Sequence, residues 1–215
     1  MKYEKTCIAR FLERPNRFIA RVEKDGEILT VHVKNTGRCR ELLAPGAEVV
    51  LSEADNPARK TKYDLIAVKK PGLGWVNIDS QAPNSAVKEW LESRFDSVRP
   101  ETVFGLSRLD FSMEKDGQKW LLEVKGCTLE IDGVGYFPDA PSERAVKHLH
   151  ELMGAVKMGY RCVVAFVIQM EKVCEVRPNE KTDPKFAEAL REAKENGVEV
   201  WFLPCVVTEN EMRIV

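Results

Sequence analysis

The stretch from Arg108 to Gly126, "RLDFSMEKDGQKWLLEVKG", carries an acid in the middle of each of two apolar runs. Asp116–Gly117 between them is the preferred pair for a two-residue hairpin loop. A turn centred there sets Phe111 opposite Leu122, Met113 opposite Trp120 and Asp110 opposite Glu123. Directly opposed residues bring their Cβ atoms about 4.5–5.5 Å apart. Lys125 and Arg108 share the face of the two acids, while Leu109, Phe111, Met113, Trp120, Leu122 and Val124 make the other face apolar. Opposed carboxylates repel, and crowding drives one pKa up. A divalent cation, Mg²⁺ or Mn²⁺, removes that objection, because hard cations take carboxylate oxygens. It would polarise a phosphoryl oxygen and lower the pKa of a bound water, with a lysine beside it to orient the nucleophile or stabilise developing charge. Asp110, Glu123 and Lys125 are therefore the candidate catalytic residues, the two acids being the metal ligands. The plainer alternative is a pair of cross-strand ion pairs, Asp110 with Lys125 or Arg108 with Glu123, on a solvated face. The register, the apolar opposite face and the amphipathic helix that follows favour a site.

Two kinds of element must position these residues. From 5 to 80 the chain alternates with a period of two, giving strands "TCIARFLE", "RFIARVEK", "EILTVHVK", "AEVVLSE", "YDLIAVKK" and "GWVNID" between turns such as "KDGE", "APG" and "DNPARK". A short helix, "GRCRELL", is expected after the third strand, where a five-stranded OB barrel places one. From about 82 the pattern changes. A helix "NSAVKEWLESRF" is capped by Asn84 or Ser85 and buries Val87, Trp90 and Leu91. Strands "TVFGLS", "RLDFSM" and "WLLEVKG" follow, then a helix from Ser142 stopped by Gly159. "RCVVAFVIQ" reads as a fully buried strand, and "TDPKFAEALREAKENG" as a helix capped by Asp183 with Gly197 past its end. "VEVWFLP" and a terminal run finish the chain. The fold class is α/β (α+β): an OB-like β-barrel over 1–81, then an α/β domain over 82–215.

Composition narrows the classes of function. The 215 residues are 44% hydrophobic and 31% charged, as in ordinary globular proteins. The beginning of the chain has no apolar run of the signal-peptide kind, and "CVVAFVI" (162–168) is too short to span a bilayer. A cytoplasmic protein with no membrane partner is expected. Net charge is −1, but residues 1–80 carry 15 Lys/Arg against 11 Asp/Glu, which allows a basic face at the front. The six cysteines form no CxxC and read as buried small hydrophobes. The three histidines also read as structural, since His148 and His150 lie two apart on a helix and point to different faces.

The blocks "RLDF", "EVKGCTL" and "FPDAPSERAVKHLHEL", with "RFLERPNRFIARV", "VKNTGRCRELLAPG", "LSEADNPARKTKYDL" and "GWVNIDSQAPNSAVKEWL" before them, resemble the sugar fermentation stimulation protein A family over essentially the whole chain. The resemblance implies an OB-like barrel followed by a domain of the PD-(D/E)xK, restriction-endonuclease-like type. It also implies DNA binding without strong sequence preference and a regulatory link to sugar (maltose) utilisation. Asp110 matches the motif's first acid, and Glu123 and Lys125 match its (D/E)xK. Some nucleases of this fold add a glutamate from the first helix, for which Glu89 is the nearest candidate. Departures lie at "GC" after the lysine, where serine-valine is more common, and at Ser142 and Ala145–Val146, where threonine and a glycine are usual. They bear on whether Arg144 and Lys147 reach a phosphate, not on the acids.

For further phosphate contact, Lys34, Arg38 and Arg40 surround a turn out of a strand, with Arg17 and Arg21 near them and Arg108 beside the acids. Three functions follow. The first is a DNA-binding protein, non-specific or structure-directed. The second is a Mg²⁺- or Mn²⁺-dependent endonuclease. The third, a sugar- or small-molecule-binding barrel, ranks last because few aromatic residues interrupt the barrel strands. DNA and a second copy of the chain are the candidate partners.

Overall fold

Period-two alternation makes the first half of the chain a run of strands. The computed structural model describes residues 1–215 apart from Thr36, Asp55, Pro57 and Leu106, so those positions of the expected "DNPARK" turn and "TVFGLS" strand lie outside the described residues. The strands are β1 (Thr6–Asn16), β2 (Ile19–Lys24), β3 (Glu27–Val33), β4 (Glu48–Glu53), β5 (Tyr63–Lys70) and β6 (Gly74–Asn77), matching the six expected segments. β1 lies antiparallel to β2 and β4, β2 to β3, and β4 to β5. β3 and β5 then close the ring in parallel through His32–Asp64 and Val33–Leu65, giving a five-stranded barrel of OB type. Val22, Val31, Val49, Leu51 and Leu65 fill it and are fully buried.

The helix expected at 37–43 does not form. Cys39 takes a left-handed φ of 45°, and the segment makes one turn, Leu43 N–H to Cys39 O at 2.9 Å, before Pro45 and Gly46 redirect the chain. So short a segment cannot recover the cost of helix nucleation.

The second half holds α1 (Ala82–Glu92), β7 (Ser97–Phe104), β8 (Ser107–Lys115), β9 (Gln118–Cys127), β10 (Leu129–Ile131), β11 (Val134–Phe137), α2 (Glu143–Lys157), β12 (Arg161–Ile168), β13 (Val176–Pro178), α3 (Pro184–Glu195), β14 (Val198–Val207) and β15 (Met212–Ile214). Its main sheet runs β15-β14-β12-β9-β8-β7. The strands β9, β12 and β14 are parallel, so the central β12 is covered on both faces and Cys162–Ile168 are at most 1% exposed. α2 and α3 pack on one face with Leu149, Leu152 and Phe186, and α1 packs on the other with Val87 and Leu91.

Two helix starts follow their expected caps. Ser142 Oγ accepts from Ala145 N–H at 3.2 Å, and Asp183 Oδ1 accepts from Phe186 N–H at 3.0 Å. The third does not. α1 begins at Ala82 behind Gln81, which makes no side-chain cap bond, with Pro83 in the first turn where its missing N–H costs nothing. Asn84 is thus already inside the helix, and its side chain is free for other use.

Barrel and sheet share a core. One apolar cluster runs from Val22 and Leu65 to Leu149 and Val164. At the joint, the side chain of buried Gln169 donates to Asn77 O and Oδ1 at 3.0 and 3.1 Å, and its backbone carbonyl accepts from Asn77 N–H at 2.9 Å. Cys39, Cys127, Cys162 and Cys205 are buried as expected, whereas Cys7 is half-buried and Cys174 exposed; all six are free thiols. No helix among the described residues is long and apolar enough to cross a membrane.

Candidate functional site

The Asp116–Gly117 turn forms with left-handed φ values of 51° and 75°, which only a primed turn uses. The register is the expected one: Lys115 faces Gln118, Met113 faces Trp120 and Phe111 faces Leu122. There the ladder stops, one pair short of Asp110 and Glu123. β8 stays paired with β7 through Arg108, and β9 stays paired with β12, so the two arms part like a fork. Asp110 fills the gap. Its Oδ2 accepts the Val124 N–H at 2.7 Å, replacing a lost ladder bond, and its Oδ1 accepts from Asn84 Nδ2 at 2.8 Å.

Close packing makes this possible. A Cβ on Gly126 would meet Pro83 Cγ at 3.0 Å and collide with Gln169 Oε1. Glycine at 126 therefore lets the start of α1 lie against β9, which brings Asn84 within reach of the acid.

Glu123 is held from the opposite side of the sheet. It is 3% exposed, and its Oε1 is shared by Lys125 Nζ at 2.6 Å and by His148 Nδ1 on α2. Arg144 Nε donates to His148 Nε2 at 3.4 Å, which fixes the proton on Nδ1 facing Glu123. Glu123 Oε2 is buried with no hydrogen-bond partner among the described residues.

The two acids are driven apart in proton affinity. Burial, then the charge of Glu123, pushes the Asp110 carboxyl up. Burial also pushes Glu123 up, but His148 and Lys125 outweigh it and hold that carboxyl below its usual range. Carboxylates separated in this way suit different proton states at one pH. Among the described residues no group of three or more His, Cys, Asp or Glu side chains is arranged to hold a metal ion. Two carboxylates with an open oxygen still suit Mg²⁺, which binds through one or two carboxylates and keeps waters and substrate phosphate oxygens for its other positions.

Over this cluster lies a cleft of about 610 Å³ lined by Ser107, Arg108, Glu143, Arg144, Lys147 and His148. It brings together the expected Arg108, Arg144 and Lys147, all exposed. Arg17, Arg38 and Arg40 line a second cleft of about 640 Å³ beside the barrel, whose far wall includes Ala140. The segment from Ala140 to Arg144 joins the two clefts.

Three expected residues lie elsewhere. Glu89 pairs with the Met1 ammonium at 2.7 Å and is exposed; it lies five residues beyond Asn84, about 140° around the helix from the side chain that meets Asp110. Lys34 is engaged by buried Asp79 at 3.0 Å, with Asp64 at 4.0 Å, so its ammonium serves the barrel mouth. Arg21 pairs with Glu13 at 2.8 Å on the surface.

Sequence reasoning missed Asn84, read as a cap, His148, read as structural, and Arg14. Arg14 donates to Gly37 O and Arg38 O, both at 2.8 Å, and to Arg17 O and Asn35 O, both at 2.6 Å, shaping the loop that carries Arg38. The one available signal for His148 was its place four residues after Arg144 on a helix whose buried face follows the EVK strand.

An OB barrel sharing a core with a mixed sheet that forks around Asp, Glu-x-Lys defines a two-part architecture of barrel and α/β domain. The comparisons agree. The model of the sugar fermentation stimulation protein RE domain matches residues 81–211, and that of the SfsA N-terminal OB domain matches 12–78. The chain belongs to the sugar fermentation stimulation protein family. A sugar fermentation stimulation protein homolog of Desulfitobacterium hafniense is 50% identical over 216 residues, covering 99% of this chain and 94% of the relative. A homolog from Clostridium beijerinckii is 48% identical over 219 residues, covering 100% and 96%. The solved structure described as Pyrococcus furiosus SfsA in complex with Ca²⁺ superposes with a TM-score of 0.86 at 29% identity, covering 100% of this chain and 95% of that one.

Proposed function

We propose that the protein binds DNA through its phosphates, along the cleft beside the barrel and the cleft over Glu123. The observation that carries this reading is that the short segment 140–144 lines both basic clefts, with Ala140 beside Arg17, Arg38 and Arg40 in one and Arg144 beside Arg108 and Lys147 in the other. Guanidinium groups spaced along a groove neutralise successive phosphates without reading bases. The packed barrel interior and its arginine-lined flank speak against a sugar site, which would present aromatic rings.

A specific observation favours a second reading, divalent-cation-dependent hydrolysis of the phosphodiester. Glu123 Oε2 is buried without a partner beneath that cleft, and Asp110 is pushed up by burial and by Glu123. Asp110 and Glu123 would hold Mg²⁺ or Mn²⁺, which supplies a polarised phosphoryl oxygen and a more acidic water when bound. The Ca²⁺ in the Pyrococcus furiosus relative is an oxygen-seeking cation of the same hard class. Lys125, fixed against Glu123 Oε1, would orient the nucleophile or stabilise charge on the phosphate. His148 and Arg144 hold Glu123 in place.

The test is fluorescence anisotropy on duplex DNA across a salt series, with metal-dependent cleavage assayed in the same samples. With about four phosphates neutralised, affinity falls about a hundredfold between about 50 and about 200 mM salt. A flat salt response, or binding unchanged in a combined R38A, R40A and R144A protein, overturns DNA binding by these clefts. Binding without cleavage in any divalent metal ion removes the second reading and leaves the first.

A further inference from the structure

A third cleft, of about 590 Å³, opens on the α1 side of the sheet, at the turn end of the β8–β9 hairpin. It is separate from the acid cluster, because Trp120 and Glu123 differ by three residues on β9 and point to opposite faces. Its walls are aromatic: Phe95 and Trp201 each pack against Trp120, with ring centroids 5.5 and 6.0 Å apart. Its cations lie over aromatic rings. The Arg161 guanidinium sits 3.8 Å from the Trp120 ring centroid, Arg94 sits 4.3 Å from the Trp90 ring, and Lys115 reaches over Phe95 at 5.9 Å.

Each cation keeps donors in reserve. Arg161 uses Nε and Nη2 on Glu199, and Arg94 uses Nη1 on Trp90 O and Ser93 Oγ. No bond to Arg161 Nη1, to Arg94 Nε or Nη2, or to Lys115 Nζ is formed among the described residues. Asp116 is the one acid on the lining, against three cations. Trp120, 7% exposed, floors the cleft.

We propose that this cleft binds a nucleoside phosphate unit, either a free mononucleotide or the phosphorylated end of a DNA strand. A guanidinium that rests one face on an indole offers its other face to a second planar ring, and nucleobases stack on such planes. The base would lie against Arg161, between Phe95 and Trp201. Arg94 and Lys115, at the outer rim, donate to the phosphate through charge-assisted hydrogen bonds. A bare phosphate leaves the aromatic walls unused, and an uncharged aromatic leaves the rim cations unused. Recognition therefore needs both halves of one molecule.

Titration of the full chain with dAMP, followed by intrinsic tryptophan fluorescence and calorimetry, tests the assignment, because Trp120 and Trp201 report directly. Saturable quenching is expected with dAMP, and deoxyadenosine and inorganic phosphate should each bind about tenfold or more weaker. The K115A and R94A proteins, altered only at the exposed rim, should lose about tenfold in affinity at unchanged melting temperature. Competition by a short 5′-phosphorylated single strand assigns the site to strand ends, and binding of dAMP alone assigns it to free nucleotide. Either supports the proposal. No saturable dAMP binding, or undiminished affinity in the K115A/R94A double variant, overturns it. The D110A protein keeps this binding, so the outcome is independent of the reading of the acid cluster.

Discussion

The molecule contains two buried acid clusters, one in each half, and they are built to opposite rules. At the barrel mouth Asp64 receives Arg59 through both oxygens, at 2.7 and 3.0 Å, and His32 at 2.9 Å. Asp79 beside it receives Lys34 at 3.0 Å, Tyr3 at 3.2 Å and the Gln81 N–H at 2.9 Å. No oxygen there lacks a partner among the described residues. In the sheet, Asp110 is satisfied but Glu123 Oε2 has no partner among the described residues. An unpaired buried oxygen costs about 1–3 kcal/mol, and more when charged. The chain can surround an acid with donors when only the fold needs it. Glu123 Oε2, like Glu151 Oε2, is left without a partner among the described residues, and its place beside Asp110 is what would suit it to a cation.

Substitutions sharpen the contrast. The largest effect is expected on cleavage: D110N and E123Q, which keep an acceptor oxygen for the buried donors, should each lower metal-dependent hydrolysis by at least about a hundredfold with little change in melting temperature. A fall in stability with cleavage intact would make the two clusters alike. D64A should do the reverse, destabilising by about 3 kcal/mol in denaturant titration because Arg59 and His32 lose their shared acceptor, with DNA binding retained.

Acid should reveal the same cluster. Burial pushes Asp64 up, but the bonds from Arg59 and His32 outweigh it and hold its carboxyl below the usual range. Its contribution is then in place above the ordinary carboxylate range and is lost as pH falls through the depressed folded value. The stability gap between the parent and D64A should therefore close on acidification, and a gap constant down to about pH 2 refutes the assignment.

N84A is expected to slow hydrolysis about tenfold by freeing Asp110, with little change in affinity for DNA. The smallest change is in salt dependence. R38A and R40A should each reduce the log–log slope of DNA binding by about one, and K34A should leave it unaltered while lowering stability.

Much of this was legible in the sequence because local chemistry decided it. Six strands of the first half followed from alternation, the hairpin register from Asp116–Gly117, and two helix starts from Ser142 and Asp183. What was hidden depended on contacts distant in the chain. Asn84 resembles a cap until Pro83 lets the helix begin earlier, and its partner is 26 residues away. His148 becomes part of the site only because α2 lays it over β9. Lys34 and Glu89 looked available because their partners, Asp79 and the Met1 ammonium, are far off in sequence. The small strands β10, β11 and β13 pair with one another, β11 and β13 across the whole of α2 and β12, which no short window reveals.

The Gln169 clasp has a consequence for any strand lying along both grooves. It locks the end of β6 to the end of β12, and Asn77 and Asp79, which it grips, also anchor Tyr3 and Lys34. Those bonds tie the barrel to the sheet between Arg38 and Glu123, and a joint held in this way would keep one spacing across them. A polymer held at one end would then present the same nucleotide at the other.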